Sequence, residues 1–356
     1  MTRIGPERSP RTTRRAVLGG MAAAGAATLL PRRSEAAGGR VVVGTWGGDY
    51  QNLLQSNIAA PLLEPEKINV VYDTGNDSPR KTKLLAEKRL PRGSMDIVAL
   101  SAAGMFEMHK ADALLELDWS KIPNSKHIVP NLKTTYSVPH IFSSRVILYN
   151  PSKIPVAPTS YNDLWDPKYT GHVGVIDIQY QTTLESAALI NGGSLGNFEP
   201  GKAKLLELKK QGVTILPTNE AMAQALKTEE IWICIMWKAR GVMWQNAGVP
   251  VKIAYPKEGA VLYVSELGIA KNAPDKDAAY AYLNASLDPR AQRGFIKTMG
   301  YNPTVDNVVP GAEDAETAER IEFAPVEKSH MLIEDYEYLA KNDAQLKEWW
   351  DKEFKA

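Results

Sequence analysis

The chemistry this sequence offers is concentrated at the end of one apolar run. Ile231 to Trp237 reads as a buried strand, and it stops abruptly at Lys238-Ala239-Arg240. Buried strands of α/β proteins deliver ligand groups just beyond their carboxyl ends. If the strand continues, residues 238 and 240 share a side, because strand side chains alternate. A guanidinium placed there forks onto a carboxylate or phosphonate, and such charge-assisted pairs are strong. A solvated strand end, with Lys238 and Arg240 paired to Glu229 and Glu230, is the competing reading. A second strand pair follows, broken by the turn signal Pro256-Lys257-Glu258-Gly259. The segment as a whole describes a cleft built to hold something small.

Catalysis has little to work with. The five histidines, at 109, 127, 140, 172 and 330, show no metal-ligand spacing, and neither a phosphate-binding loop nor a His-Glu-x-x-His motif occurs. The lone cysteine, Cys234, sits inside the apolar run, where it cannot form an internal disulfide and makes a poor nucleophile. A formal net charge of +1 gives nucleic-acid binding no electrostatic support. No cofactor is called for. A binding protein without chemistry is the expectation, and a receptor-presenting sensor shares every one of these features.

The elements that must position the cleft alternate along the chain. Arg14-Arg15 before the apolar stretch Gly19 to Leu30, with Ser34-Glu35-Ala36 after it, reads as a twin-arginine export leader over 1–37. Export of this type implies a periplasmic protein. Beyond the leader no segment approaches the twenty apolar residues of a membrane span. The remaining chain exceeds one comfortable hydrophobic core, so two lobes are expected. Strands near Val41–Trp46, Ile68–Tyr72 and Met95–Leu100 alternate with helices, the pattern of a mostly parallel sheet with helical crossovers. Strands at Arg145–Tyr149, His172–Ile176 and Val213–Leu216 and helices at Leu184–Ile190, Lys202–Gln211 and Ala221–Lys227 continue it, and helices close the chain.

Several motifs carry a resemblance. Ile235-Met236-Trp237, Asn246-Ala247-Gly248-Val249-Pro250 and Tyr255-Pro256-Lys257-Glu258-Gly259 resemble the spermidine/putrescine-binding branch of bacterial solute-binding proteins. So do Thr45-Trp46 with Asp49-Tyr50, Tyr161-Asn162-Asp163-Leu164-Trp165 with Tyr169-Thr170-Gly171, and Gly300-Tyr301-Asn302-Pro303-Thr304. The resemblance implies a type II, two-lobed periplasmic binding protein. Each lobe would be a mixed, mostly parallel sheet flanked by helices, joined by crossing hinge strands and closing on solute. It implies an inner-membrane ABC permease and ATPase as partners, and a monomer. The lobes would comprise 38–138 with 263–304, and 139–262 with 305–356, the last being C-terminal helices.

By the same resemblance Trp46, Tyr50, Ser101, Asn219, Trp237 and Tyr263 contact the solute. The departures bear on which solute. The family's acidic positions here read Ile178-Gln179-Tyr180-Gln181-Thr182-Thr183 and Val264-Ser265-Glu266, and Lys238 and Arg240 follow the tryptophan. An unpaired ammonium in a dehydrated cleft costs several kcal/mol, so a polycation needs carboxylates. This chain has neutral residues in the first stretch, Ser265 in the second, and cations where the family has small neutral residues after the tryptophan. A small anionic or zwitterionic solute is therefore expected, with polyamine as the alternative. Gln181, Ser265 and a second anion clamp at Arg145 would assist; Arg145 as an interlobe salt-bridge partner is the alternative. Glu266 or Asp49 facing the cleft would make the solute an ω-amino acid.

Overall fold

The computed structural model describes residues 38–356; the leader expected over 1–37 lies outside the described residues. Eleven strands appear in the described part, named in chain order β1 (Arg40–Thr45), β2 (Asn69–Thr74), β3 (Ile97–Ser101), β4 (Val138–Tyr149), β5 (Val173–Ile176), β6 (Thr214–Leu216), β7 (Ile233–Trp237), β8 (Lys252–Ala254), β9 (Ala260–Ile269), β10 (Asn302–Pro303) and β11 (Met331–Leu332). They form a curled mixed sheet in the order β2-β1-β3-β9-β4-β7-β5-β6. At one end β2, β1 and β3 are parallel, and at the other β7, β5 and β6 are parallel. Val41, Val43, Ile97 and Val98 are buried without alternation, as strands covered by helices on both faces must be.

Two apolar cores flank the middle of this sheet. The first gathers β1 and β3 with Tyr282, Leu283 and Phe295 of the helices Lys276–Ser286 and Pro289–Met299. The second gathers β5 and β7 with Trp350 and Phe354 of the C-terminal helical segment. β4 and β9 pair antiparallel between them, from Val138↔Leu267 to Ser144↔Leu262. Val138 and Ile141 of β4 belong to the first core, and Ile147 and Tyr149 to the second. This is a two-lobed α/β fold joined by crossing strands.

β4 is longer than its apolar pattern announces. Ser143 and Ser144 interrupt the hydrophobic run, yet both are buried. Ser143 Oγ accepts the Ala239 amide at 3.1 Å, and Ser144 donates to Glu327. A buried hydroxyl with a partner costs little, so the strand passes through to Val138. Gly300 closes the helix Pro289–Met299 at φ 67°, where a left-handed cap needs no Cβ. A Cβ there would meet the Ala239 carbonyl at 3.1 Å, so glycine lets Tyr301 follow directly into the cleft.

Candidate functional site

Six strand or helix ends converge on one cavity of about 480 Å³. β1 delivers Trp46, β3 ends on Ser101, β5 runs into Asp177 and Gln179, and β7 ends on Trp237. The helices Asp77–Glu87 and Asn219–Lys227 begin at the rim. This is the carboxyl-end placement expected of open α/β sheets.

The walls are aromatic. Trp46 meets Tyr50 edge-on at 5.4 Å between centroids, with the Arg80 guanidinium 4.9 Å over the indole. Across the cavity Trp237 and Tyr263 lie 4.4 Å apart, and Tyr301 stands 6.2 Å from Tyr263. The Tyr50 hydroxyl is 2.8 Å from His140 Nδ1 and 3.3 Å from Ser265 Oγ. Burial pushes the His140 pKa down to about 3, so the imidazole is neutral.

Most charges in the cleft are already paired. Arg145 bridges Glu185 and Glu334. Lys81 contacts Glu107 and lies 3.5 Å from Asp343. Asp177 accepts Trp350 Nε1 at 2.8 Å and Lys355 Nζ at 2.6 Å. Two groups stand out. Arg240 has one carboxylate within reach, the well-exposed Glu220 at 4.0 Å, its Nη1 lies 3.8 Å from the Met243 sulfur, and its buried Nε has no partner. Asp77 reaches Arg80 at 3.9 Å, and its Oδ1 has no hydrogen-bond partner. Burial holds the Asp77 carboxyl above the usual range, against the pull of Arg80 and Lys81. Trp237 Nε1 is a third buried group without a partner. Orphaned polar atoms on an aromatic cavity are where a solute's own polar groups fit.

Of the thirteen residues singled out by sequence, Trp46, Tyr50, Ser101, Arg145, Gln181, Asn219, Trp237, Arg240 and Tyr263 line this cavity. Three of them already have partners within the protein. Arg145 is held through Nη1 and Nη2 by its two carboxylates, leaving only its buried Nε without a partner, and Gln181 donates to Asp343 at 2.6 Å. Asn219 accepts from Gln179 Nε2 at 2.5 Å. Four lie off the cavity lining. The strand does not continue past Trp237: a helix, Lys238–Asn246, starts there. At about 100° per residue, positions two apart fall on nearly opposite faces. Lys238 accordingly turns inward, 2.7 Å from Glu327 and over Tyr255 and Phe323, while Arg240 faces the cleft. Ser265 is buried behind Tyr50, Glu266 accepts from Ser137 Oγ at 2.6 Å in the interior, and Asp49 is exposed on the outer side of its helix.

Sequence reasoning passed over Asp77, Lys81, Glu107, Tyr301 and Asp343, all in the lining. Asn76-Asp77-Ser78-Pro79 has the polar-then-proline signature of a helix start after a strand, which marks Asp77 as a rim residue. Tyr301 stands within the Gly300–Thr304 motif. Asp343 has no local signal, since only the fold of the last helix brings it back. A Gly-x-Ser-x-Gly spacing does occur at 192–196, but Ser194 is exposed in a turn following a helix, without the strand-turn-helix context of a nucleophile. Among the described residues no three His, Cys, Asp or Glu side chains are grouped to hold a metal. Nor is any described helix long and apolar enough to cross a membrane.

Residues 65–324 match the family model of the bacterial extracellular solute-binding proteins. The spermidine/putrescine-binding periplasmic protein of Escherichia coli (strain K12) is 27% identical over 293 residues, 76% of this chain and 83% of its own. Among solved structures, the Atu4243 GABA receptor matches with a TM-score of 0.74 at 21% identity, covering 88% of this chain and 96% of its own. The binding protein MotA from A. tumefaciens B6, in complex with glucopine, matches with a TM-score of 0.72 at 22% identity, over 88% and 98%. At these identities the two structures speak for the fold.

Proposed function

Because this chain belongs to the bacterial extracellular solute-binding proteins, we propose that it captures a small anionic or zwitterionic solute in this cavity and hands it to an ATP-driven importer in the inner membrane. Solute-binding proteins of this family carry out no chemical step, and the chain is not an enzyme. In this reading 38–138 with 263–304 form one lobe and 139–262 with 305–356 the other. The lobes close about β4 and β9, and the protein works in the periplasm after twin-arginine export.

Arg240 is the observation that carries the reading. Its guanidinium faces an aromatic-walled space where its one carboxylate neighbour is the well-exposed Glu220 at 4.0 Å, an arrangement suited to pairing with a solute carboxylate or phosphonate. Asp77, on the other lobe, supplies the complementary acceptor for an amine. A solute carrying both groups, such as an ω-amino acid, satisfies both orphaned residues while its methylenes lie on Trp46, Trp237 and Tyr263. Such a ligand accords with the GABA receptor among the structural neighbours.

A polyamine is the second reading, favoured by one observation. Six carboxylate residues line the cavity (Asp77, Glu107, Asp177, Glu220, Glu334 and Asp343) against four cations (Lys81, Arg145, Arg240 and Lys347). The ion pairs already drawn among them weaken it. A thermal-shift panel of ω-amino acids, simple carboxylates, phosphonates, putrescine and spermidine separates the two. Stabilisation by the first three classes supports the proposal; tight spermidine binding with no response to any anion overturns it.

A further inference from the structure

Lys81 leaves the helix Asp77–Glu87 and turns its ammonium into the solute cavity, with only 14% of its side chain exposed. There it touches Glu107, on the helix Ala102–Lys110, and stands 3.5 Å from Asp343 Oδ2, on the helix Tyr336–Trp349. The other oxygen of Asp343 accepts from Gln181 Nε2 at 2.6 Å and from the Tyr180 hydroxyl. Asp343 is thus oriented by two donors and offers its remaining oxygen to a cation. Two carboxylates from different parts of the chain converge on one primary ammonium inside a solute cavity. A bound alkylamine would need the same surroundings.

We propose that Lys81 is a tethered occupant of an ammonium subsite, filling with its own side chain the place that one end of a polyamine would take. The inference rests on the reading of this cavity as the solute site. Lys81 then sets selectivity: it occupies Glu107 and Asp343 and leaves Arg240 and Asp77 to choose the ligand. Burial alone would lower the Lys81 pKa, but Glu107 and Asp343 raise it above its ordinary value, so the ammonium stays charged and the subsite stays filled. An ordinary salt bridge in the same place would affect stability or closure when broken. It would not create affinity for a new class of solute.

Calorimetric titration of putrescine into the purified wild-type protein, Lys81→Met, Lys81→Gln and Lys81→Met/Glu107→Gln tests this. Lys81→Met exposes the two carboxylates, and putrescine is expected to bind about tenfold to a hundredfold tighter than to wild type, the range of one or two charged hydrogen bonds. Lys81→Gln keeps a donor for Glu107, so it shows the gain even if the methionine variant folds poorly. Adding Glu107→Gln should return the affinity toward wild type. A folded Lys81→Met or Lys81→Gln protein with wild-type putrescine affinity overturns the proposal, as does a gain that survives Glu107→Gln. If diamine affinity appears in the variants while no anion or zwitterion binds wild type, the functional reading fails and the subsite stands. Zwitterion binding in wild type without any gain in the variants overturns the subsite and leaves the functional reading standing.

Discussion

The rings of Trp237 and Tyr263 lie 4.4 Å apart with a 33° tilt, although one ends a strand of the second lobe and the other sits on the crossing strand β9. They form a single apolar wall whose two halves are carried by different elements. Trp237 is only partly buried by protein and its Nε1 is unpartnered, so under the proposed function a solute would complete its surroundings. Trp237→Ala is expected to weaken solute binding about tenfold to a hundredfold, the usual range for an aromatic anchor. Calorimetry with whichever ligand the thermal-shift panel identifies provides the check, and unchanged affinity would place the solute elsewhere.

Arg240 and Asp77 should separate by ligand class. Arg240→Ala is expected to abolish measurable binding of a carboxylate-bearing solute, and Arg240→Lys to recover part of it, because a lysine lacks the planar fork. Asp77→Asn should weaken a zwitterion about tenfold or more while leaving a simple carboxylate nearly untouched. Equal losses for both ligand classes in Asp77→Asn would show that Asp77 acts on the shape of the site and not on an amine.

How much of this was legible before folding follows from how locally each residue is specified. Trp46, Trp237 and Tyr263 come from the family resemblance, and the structure sets each in the cavity lining, in or just after an apolar strand. The pairing of Lys238 with Arg240 was misjudged because nothing in the side chains between Trp237 and Gly241 says where strand geometry yields to helix. That single change of period sends Lys238 to Glu327 and leaves Arg240 in the cleft. Ser265 and Glu266 sit in a motif-like position, but the register Leu100↔Glu266 puts them in the interior between β3 and β4. Asp343 was out of reach, since its neighbours Lys81 and Gln181 are distant in sequence and meet only through the docking of the last helix.

Lys238 offers a test of the inward assignment. Its ammonium and the Glu327 carboxylate are both nearly inaccessible, with Ser144 and the Ala324 amide also donating to Glu327. Removing one partner of a buried pair costs about 3–5 kcal/mol. Lys238→Met should therefore lower unfolding free energy by about that much without a large change in solute affinity. Lys238→Met/Glu327→Gln should recover much of the loss. Urea denaturation read by fluorescence, beside a binding titration, decides it; a variant of normal stability with impaired binding would return Lys238 to the cleft.

Glu266 makes stability depend on pH. Burial pushes its carboxyl up to about 7, with only the Ser137 hydrogen bond opposing the shift. Between the unfolded value near 4.3 and about 7, the folded protein holds a proton that the unfolded chain has released. The stabilising contribution is complete below the unfolded value and declines as pH rises through 7, by about 3 kcal/mol in all. His140 slopes the other way: its pKa of about 3 lies below the unfolded 6.5, so stability falls as pH drops through that window. The two slopes oppose each other in wild type, and Glu266→Gln isolates one of them. The variant should lie within about 1 kcal/mol of wild type near pH 5 and exceed it by about 2–3 kcal/mol at pH 8, since the amide never has to ionise in the interior and still accepts from Ser137. Urea melts at pH 5, 6.5 and 8 measure the difference; a gap independent of pH would mean that Glu266 keeps one charge state throughout.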